Sequence, residues 1–235
     1  MLDNLLTSPF LWITLTVGFY LIAGFLHKKW PIPLFNPLLF SIVMMIALLL
    51  ITKIPYQTYQ SGGQLVAFFV TPATVSLAIK LEKNFVYLKK YYVAILTGIV
   101  SGVIFHTLMI FAFGLLFKFD VQMAATLFPK SITTAIAVGV SGSLGGIVSL
   151  TVAVVVFTGI VGAVIAPTLF KLAKIDDPVA QGVALGSSAH AMGTAKAIEI
   201  GEVQGAMSGL SIVVTGIVVV TLAPFAQPLI QLIFG

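Results

Sequence analysis

The chain has 235 residues, of which 59% are hydrophobic and only 8% are charged. Because a soluble domain carries about 25% charged residues, this composition excludes a water-soluble protein and indicates one embedded in a lipid bilayer. The formal net charge is +5 and every cation is a lysine; scattered lysines without arginine argue against a nucleic-acid partner. The absence of cysteine excludes disulfides and thiol chemistry.

Long continuous apolar runs indicate α-helices rather than barrel strands, which alternate apolar and polar residues. Since a spanning helix needs about 20 apolar residues, five runs predict membrane spans: Pro9–Leu26, Leu34–Thr52, Tyr91–Phe117, Ile147–Leu172 and Val203–Phe234. No basic segment precedes the first run, so we expect a retained anchor rather than a cleaved signal. The last run contains Pro224 and Pro228, which predict a break or a surface-lying end. A shorter apolar piece covers Gln64–Lys80 around Pro72.

Two further apolar stretches, Gln122–Gly146 and Pro178–Glu202, are poorly suited to plain spans because they are rich in glycine, hydroxyl and charged residues. These residues at membrane depth are typical of discontinuous or re-entrant helices, whose irregular backbone must be covered by protein or line a water-filled cavity. The sequence therefore predicts an all-α polytopic membrane protein with about 7–8 membrane segments, two of them broken.

Sequence similarities within the chain suggest a duplication. Thr158–Pro167 and Thr215–Pro224 both read Thr-Gly-Ile-Val, four residues, Ala-Pro, with an offset of 57, and Thr-Gly-Ile-Val recurs at Thr97–Val100. Pro72–Ile79 resembles Pro129–Ile136 at the same offset. Chance similarity among common membrane residues is the alternative. A repeat predicts a duplicated unit, a broken segment followed by a long helix.

The repeats divide what we expect to be a single membrane domain. Residues 1–120 would form an N-terminal helical part for scaffolding and oligomerisation, and residues 121–235 a core of two repeated units, 121–173 and 178–235. Lysines favour the cytoplasmic side, and they follow the first and third apolar stretches. The pair Lys171 and Lys174 obeys this rule only if Gln122–Gly146 enters the membrane and returns. The two units would then be inverted relative to each other.

The first candidate site lies in Gln122–Gly146, where Lys130 is followed by hydroxyl residues Ser131, Thr133 and Thr134. An ionisable group inside a membrane costs roughly 2.5–3.5 kcal/mol and is a functional candidate. At a helix start, a cation, hydroxyl donors and free backbone N–H groups suit an anion. The alternative is an interfacial lysine that reaches the headgroups while the hydroxyls cap the helix.

The second candidate site lies in Pro178–Glu202. Gly193 permits a helix break there, and Thr194 could cap the helix that follows. The complete set of candidate residues is Ser188, His190, Gly193, Thr194, Lys196 and Glu199. His190 could relay a proton or donate to a carboxylate, or it could simply bond a backbone carbonyl. Lys196 and Glu199 are three residues apart and can pair on one helix face, which would make them a coupling or structural ion pair.

His106 lies in mid-span, where a lone histidine either forms an interhelical hydrogen bond or takes part in ion coupling. The sequence contains no metal-binding cluster, phosphate-binding loop or nucleophile elbow. We therefore expect a protein that is not an enzyme and has no cofactor, although H+ or Na+ could serve as a coupling ion.

Several ordered motifs resemble the LrgB/CidB family, which includes YohK-type proteins and the membrane half of the plastidic glycolate/glycerate translocator. They are Phe128–Thr134, Gly145-Gly146, Asp177-Pro178, Ala184–Gly186 and His190–Val203. The resemblance implies a fold similar to the bile-acid symporter and cation/proton antiporter class. It also implies a multi-pass protein of the bacterial cytoplasmic membrane that is a homo-oligomer and works with a small LrgA/CidA-like membrane partner.

Two functions follow from this resemblance. One is a secondary carrier of small monocarboxylates of the pyruvate, glycolate, lactate or glycerate type. The other is an antiholin-like regulator of murein hydrolases and cell lysis, without transport of its own. The chain has Lys196 where the family motif carries arginine, and a lysine keeps the charge but loses bidentate geometry toward a carboxylate.

Overall fold

The computed structural model describes residues 6–30, 35, 37–69, 72 and 85–235. These residues form helices and no strand. The chain separates into two compact units, Met1–Ala73 and Thr74–Gly235. Helices Pro9–Lys29, Val148–Leu172 and Glu202–Phe234, together with segment Lys89–Phe117, are long and apolar enough to cross a membrane. They confirm four of the five predicted spans.

The first unit contains three helices, α1 (Pro9–Lys29), α2 (Pro37–Thr52) and α3 (Tyr56–Phe68). Helix α1 packs on both of the others. Its buried Trp12 lies against α3, where Gly62 lets the two helices approach: a Cβ on Gly62 would lie 2.6 Å from the Trp12 Cβ. At 16 residues, α2 is shorter than the predicted span Leu34–Thr52, whose start lies outside the described residues. Most of the predicted piece Gln64–Lys80, including all but Pro72 of its repeat, also lies outside them.

The second unit contains the two stretches that the sequence singled out. Its helices are α4 (Phe85–Phe117), α5 (Val121–Leu127), α6 (Thr134–Ser143), α7 (Val148–Leu172), α8 (Pro178–Ile200) and α9 (Glu202–Phe234). The expected break at Pro224 and Pro228 was wrong, since α9 continues through both prolines. A membrane helix tolerates proline where neighbouring groups satisfy the freed carbonyls, and Ala223, Ala226 and Ile230 are buried in the core on this part of α9.

Helix α8 is broken and folds back on itself. His190 interrupts it with φ 40° and ψ −127°. A Cβ on Gly193 would contact the backbone carbonyl of Leu185, although residues eight apart lie about 12 Å apart in a straight helix. Leu185 and Ala197 also share one buried cluster with Phe170. The two halves of α8 therefore lie side by side.

The position of this break differs from the prediction. Gly193 does not break the helix, because it lies inside the second half, where its missing side chain lets the two halves approach. Thr194 does not cap a helix either; its hydroxyl is 2.8 Å from the hydroxyl of Ser208 on α9. Sequence reasoning favoured glycine because it adopts positive φ freely, whereas the residue that does so here is a histidine held by its neighbours.

The stretch Gln122–Gly146 is also interrupted, as predicted. A turn over residues 128–133 separates α5 from α6. Buried hydroxyl groups join this segment to the start of α7: the Thr151 hydroxyl is 2.6 Å from that of Ser141 and donates to the Thr126 carbonyl at 3.1 Å. The Thr126 hydroxyl accepts the Ile147 N–H at 2.8 Å. These bonds hold α5 and α6 together at the α7 N-terminus.

Contacts between helix ends fix the directions of the long helices in the second unit. Phe234, at the end of α9, packs edge-on against Phe111 of α4 with ring centroids 5.6 Å apart. Gln204, at the start of α9, donates to the Gln181 side chain at 3.1 Å, near the start of α8. We call these two ends of the unit the Phe234 end and the Asp177 end. Helices α4 and α9 both finish at the Phe234 end, and α8 begins at the Asp177 end.

The three Thr-Gly-Ile-Val sequences have a structural feature in common. In each, the glycine faces a broken segment: Gly98 faces Val183 of α8, Gly159 faces His190 of α8, and Gly216 faces Ile136 of α6. A Cβ on Gly159 would lie 2.5 Å from the His190 ring, and one on Gly216 would lie 2.8 Å from Cδ1 of Ile136. Glycine on α7 therefore leaves the space that the His190 ring occupies, and glycine on α9 lets the end of the Ile136 side chain lie close to the helix.

Candidate functional site: a cationic cavity at both helix breaks

A cavity of about 370 Å³ lies where the two broken segments meet α4 and α7. We call it the central cavity; its lining residues are Gly102, Val103, His106, Lys130, Ser131, Phe157, Thr158, Val161, Gly162, Ser187 and Ser188. The α4 and α7 residues in this set lie near the middle of their helices. Ser187 and Ser188 come just before the break of α8, and Lys130 and Ser131 lie in the turn between α5 and α6. Both breaks therefore contribute to one space.

Lys130 supplies the positive charge of the central cavity. Its turn is held by backbone hydrogen bonds from Lys130 N–H to Leu127 O at 3.1 Å and from Ile132 N–H to Pro129 O at 3.3 Å. Within the described part of the chain the Lys130 ammonium group makes no ion pair. Because an isolated charge away from water is costly unless it is paired, an anion in the cavity would stabilise this half-buried cation.

Two further polar atoms at the central cavity lack partners. Ser131 Oγ and His106 Nε2 are both buried and without a hydrogen bond among the described residues. Of the two roles that the sequence left open for His106, an interhelical hydrogen bond is not made by Nε2 to any described residue. A buried polar group left unsatisfied costs about 1–3 kcal/mol. A polar ligand that bonded both atoms would recover that cost.

The threonines beside this turn occupy different positions. Thr133 is the N-cap of α6 and Thr134 is its first residue, so the predicted helix start lies three to four residues beyond Lys130. The Thr133 hydroxyl makes no capping bond, and it is buried without a hydrogen-bond partner among the residues that the structure describes. Neither threonine lines the central cavity. The alternative in which these hydroxyls cap the helix therefore does not hold for Thr133, whose side chain makes no capping hydrogen bond.

The first half of α8 contributes Ser187 and Ser188. Both hydroxyls donate to the Ala184 carbonyl, at 3.4 Å and 2.6 Å. A serine oxygen that donates its proton keeps lone pairs that can accept a hydrogen bond. These two residues therefore offer acceptors to a hydroxyl-bearing ligand, opposite the cation and donors of the α5–α6 turn.

The remaining candidate residues of α8 lie outside the central cavity lining. His190 is buried, and its Nε2–H donates to the Val155 carbonyl at 3.0 Å, which is the structural alternative that the sequence had left open. Gly193 and Thr194 are buried between the halves of α8 and α9. Lys196 and Glu199 form the predicted ion pair at 2.8 Å, with side chains 35% and 53% exposed.

Apart from His106, sequence reasoning missed the contributions of α4 and α7. Gly102, Val103, Phe157 and Gly162 carry no chemical signal, because apolar and small residues in a span look like ordinary packing. The signal that could have found Thr158 and Val161 is the repeated Thr-Gly-Ile-Val motif, which marks where α7 meets a broken segment.

The chemistry of the central cavity favours an anion. Its charged lining residue is a lysine, and its other polar residues are histidine, threonine and serine. Across the described ranges, no group of three His, Cys, Asp or Glu side chains could hold a metal ion. A cation with hydrogen-bond donors and no carboxylate is the combination that binds carboxylates or phosphates in proteins.

No solved structure matches the chain. The sequence model of the LrgB-like family matches residues 16–229, which takes in α4 to α8 and all but the last turn of α9, and so includes every residue of the central cavity. The chain therefore belongs to the LrgB-like family.

Proposed function

We propose that this protein is a secondary carrier that binds a small monocarboxylate in the central cavity. The observation that supports this most directly is that the Lys130 ammonium group and the Ser131 hydroxyl, which lie together where the two helix breaks meet, have no ion-pair or hydrogen-bond partner in the described part of the chain. The carboxylate would neutralise Lys130 and accept a hydrogen bond from Ser131. A bound anion thereby offsets both the cost of burying the Lys130 charge and the cost of burying the Ser131 hydroxyl.

The size and polarity of the central cavity favour a ligand of the pyruvate, glycolate, lactate or glycerate type. Its volume of about 370 Å³ lies at the low end of the roughly 300–1,000 Å³ range of ligand pockets. The single cation suits a single carboxylate. His106 and the oxygens of Ser187 and Ser188 can bond a hydroxyl or keto oxygen on the neighbouring carbon.

The helix directions favour the architecture of a carrier. Helix α4 finishes at the Phe234 end. Helix α7 finishes at the Asp177 end, where a loop of residues 173–177 joins it to the start of α8. We therefore infer that α5 and α6 enter from the Phe234 end and return, while α8 enters from the Asp177 end and returns. Two re-entrant segments from opposite sides around a mid-membrane site are typical of inverted-repeat transporters.

The repeated glycines support a duplication. Gly159 of one proposed unit receives His190 of the other unit, and Gly216 of the second unit receives Ile136 of the first. This reciprocal packing is expected if the long helix of each unit packs against the broken segment of the other unit. Chance similarity between the two sequences would not require it.

Further parts of the proposal come from the family. We place the protein in the bacterial cytoplasmic membrane as a homo-oligomer with an LrgA/CidA-like partner, acting without catalysis. If transport is coupled to H+ or Na+, His106 is the titratable group in the central cavity besides Lys130, whereas the His190 ring is engaged by Val155.

Transport into liposomes tests the proposal. The purified protein should carry labelled pyruvate or glycolate faster than empty liposomes do. Lys130→Met should lower carboxylate affinity about 10- to 100-fold, since a hydrogen bond to a charged group is worth about 1.5–3 kcal/mol, and Lys130→Arg should retain part of it. Lys196→Met is the matched control, because it removes a lysine outside the central cavity.

The antiholin-like alternative predicts other results. A regulator without transport would show the flux of empty liposomes, and Lys130→Met would leave its lysis phenotype unchanged. Flux indistinguishable from empty liposomes, together with unchanged carboxylate binding in Lys130→Met, would overturn the proposed carrier.

A further inference from the structure

A groove of about 560 Å³ joins the central cavity. Gly102, Ser187 and Ser188 line both spaces, so the two are continuous. From these residues the groove runs between α4 and the first half of α8 to Tyr91 and Asp177. We call it the access groove. It leads from the middle of the long helices to the Asp177 end of the unit.

Small residues form the α4 wall of the access groove. Ala94, Gly98 and Gly102 line it, and the next residue on the same face at this spacing is His106 of the central cavity. On the α8 side, Val183 lies 3.7 Å from a Cβ built on Gly98. Apart from the backbone of α4 itself, no atom of the described residues lies within 4 Å of a Cβ built on Gly102. The width of the groove therefore depends on the absence of large side chains on this face of α4.

The mouth of the access groove lies among lysines. Lys89 and Lys90 directly precede Tyr91, Lys171 lies in the last turn of α7, and Lys174 lies in the loop that joins α7 to α8. The acids at this end are Asp176, Asp177 and Glu202, the first residue of α9, and the Asp177 carboxylate accepts the Ala180 N–H at 2.7 Å as the cap of α8. An excess of positive charge attracts anions, and lysine-rich loops are typical of the cytoplasmic side.

We propose that the access groove is the aqueous path between the central cavity and the cytoplasm, and that the structure has the cavity open to that side. A continuous space, a wall of small residues and a lysine-rich mouth each support this path. The identity of the anion that uses it rests on the proposed function, whereas the path itself does not.

Cysteine accessibility tests the path, because the natural chain contains no cysteine. Gly98→Cys places a thiol in the groove alone, and Gly102→Cys places one where groove and cavity meet. Phe105→Cys is the control on the same helix, since Phe105 is 66% exposed and faces away from both spaces. An impermeant anionic thiol reagent is applied to inside-out and right-side-out vesicles, with Lys171→Cys and Lys118→Cys as markers of the two ends.

We expect Gly98→Cys to react at least tenfold faster than Phe105→Cys, and only from the side on which Lys171→Cys reacts. Reaction no faster than Phe105→Cys, or equal reaction from both sides, would overturn the path. Gly102→Cys should also react, and bound carboxylate should slow its labelling more than that of Gly98→Cys. Labelling from the correct side without any protection by pyruvate or glycolate would keep the path and contradict the proposed carboxylate site.

Discussion

The imidazole ring of His190 fills the space that a side chain at Gly159 would occupy. A Cβ on Gly159 would lie 2.5 Å from Cε1 and 2.9 Å from Nε2 of His190. The same Nε2–H donates to the Val155 carbonyl, one helical turn earlier on α7. His190 has φ 40°, a conformation that residues other than glycine seldom adopt. The packing of the His190 ring against α7 therefore stabilises the break of α8 at a residue whose backbone conformation is unfavourable.

Gly159→Ala should therefore destabilise the protein. The added methyl group must displace a buried, hydrogen-bonded ring, and overpacking a well-packed interior costs about 1–3 kcal/mol. The apparent unfolding temperature in detergent should fall by several degrees. Gly139→Ala is the control, because a Cβ built there meets no atom of the described residues within 4 Å apart from the backbone of its own helix, and alanine is favoured over glycine in a helix by about 0.5–1 kcal/mol.

A double variant separates this fit from a general effect. His190→Gly removes the ring and suits the positive φ, so Gly159→Ala should cost much less in that background. If the two substitutions were simply additive, the ring of His190 would not be what makes alanine unacceptable at position 159.

The sequence predicted the long apolar helices well, because span length and hydrophobicity are local properties. It also located both interruptions, since glycine, hydroxyl residues and charge are unusual at membrane depth. It could not place the break of α8 at His190, because the cause is the glycine face of α7, some 30 residues earlier in the chain. The continuity of α9 through Pro224 and Pro228 likewise depends on packing rather than on local preference.

The candidate site was predictable only in part. Lys130, Ser131, Ser188 and His106 were found from their chemistry, and the structure brings them to one cavity. In the sequence, Lys196 was as good a candidate as Lys130 for the cation of an anion site. The direction of the second half of α8 leaves Lys196 half-exposed beside Glu199. Which polar residues converge depends on how the halves fold back, and that is a tertiary property.

Ser131→Ala should weaken carboxylate binding without loss of stability. The Ser131 hydroxyl is buried and makes no hydrogen bond among the described residues, so its removal should leave the free energy of unfolding unchanged or raise it by up to about 1–3 kcal/mol. Loss of its bond to a charged ligand should lower affinity by about tenfold or more. Equilibrium binding and thermal unfolding of the same preparation measure both quantities.

Ser141→Ala should show the opposite pattern and serves as the matched serine control. Its hydroxyl lies 2.6 Å from that of Thr151 in a buried network away from the central cavity. Its loss should cost about 1 kcal/mol of stability with unchanged affinity. Equal loss of affinity in both variants would argue against direct ligand contact by Ser131.

Lys196→Gln should leave carboxylate binding and stability nearly unchanged. The Lys196–Glu199 pair is exposed, and exposed ion pairs contribute about 0–1 kcal/mol. Binding of labelled glycolate and the apparent unfolding temperature should both remain close to those of the natural protein. A tenfold loss of affinity in Lys196→Gln would show that the bound state brings Lys196 to the ligand, by a movement of the second half of α8.

Gly193→Ala should be more damaging than Gly159→Ala, because the atom that its methyl group meets belongs to the backbone. A Cβ on Gly193 would contact the Leu185 carbonyl and lie 2.8 Å from the Ala189 Cβ. A backbone group in a buried half-helix cannot turn aside as a side chain can, so the two halves of α8 would have to separate. We expect a loss of about 3 kcal/mol or more, which for a protein of this size lowers the apparent unfolding temperature by roughly 6–12 °C.

Gly142→Ala is the control, since its nearest neighbour would be Val148 Cγ2 at an ordinary 3.8 Å. If Gly193→Ala unfolds at the same temperature as Gly142→Ala, the halves of α8 do not pack face to face and the fold-back geometry is wrong.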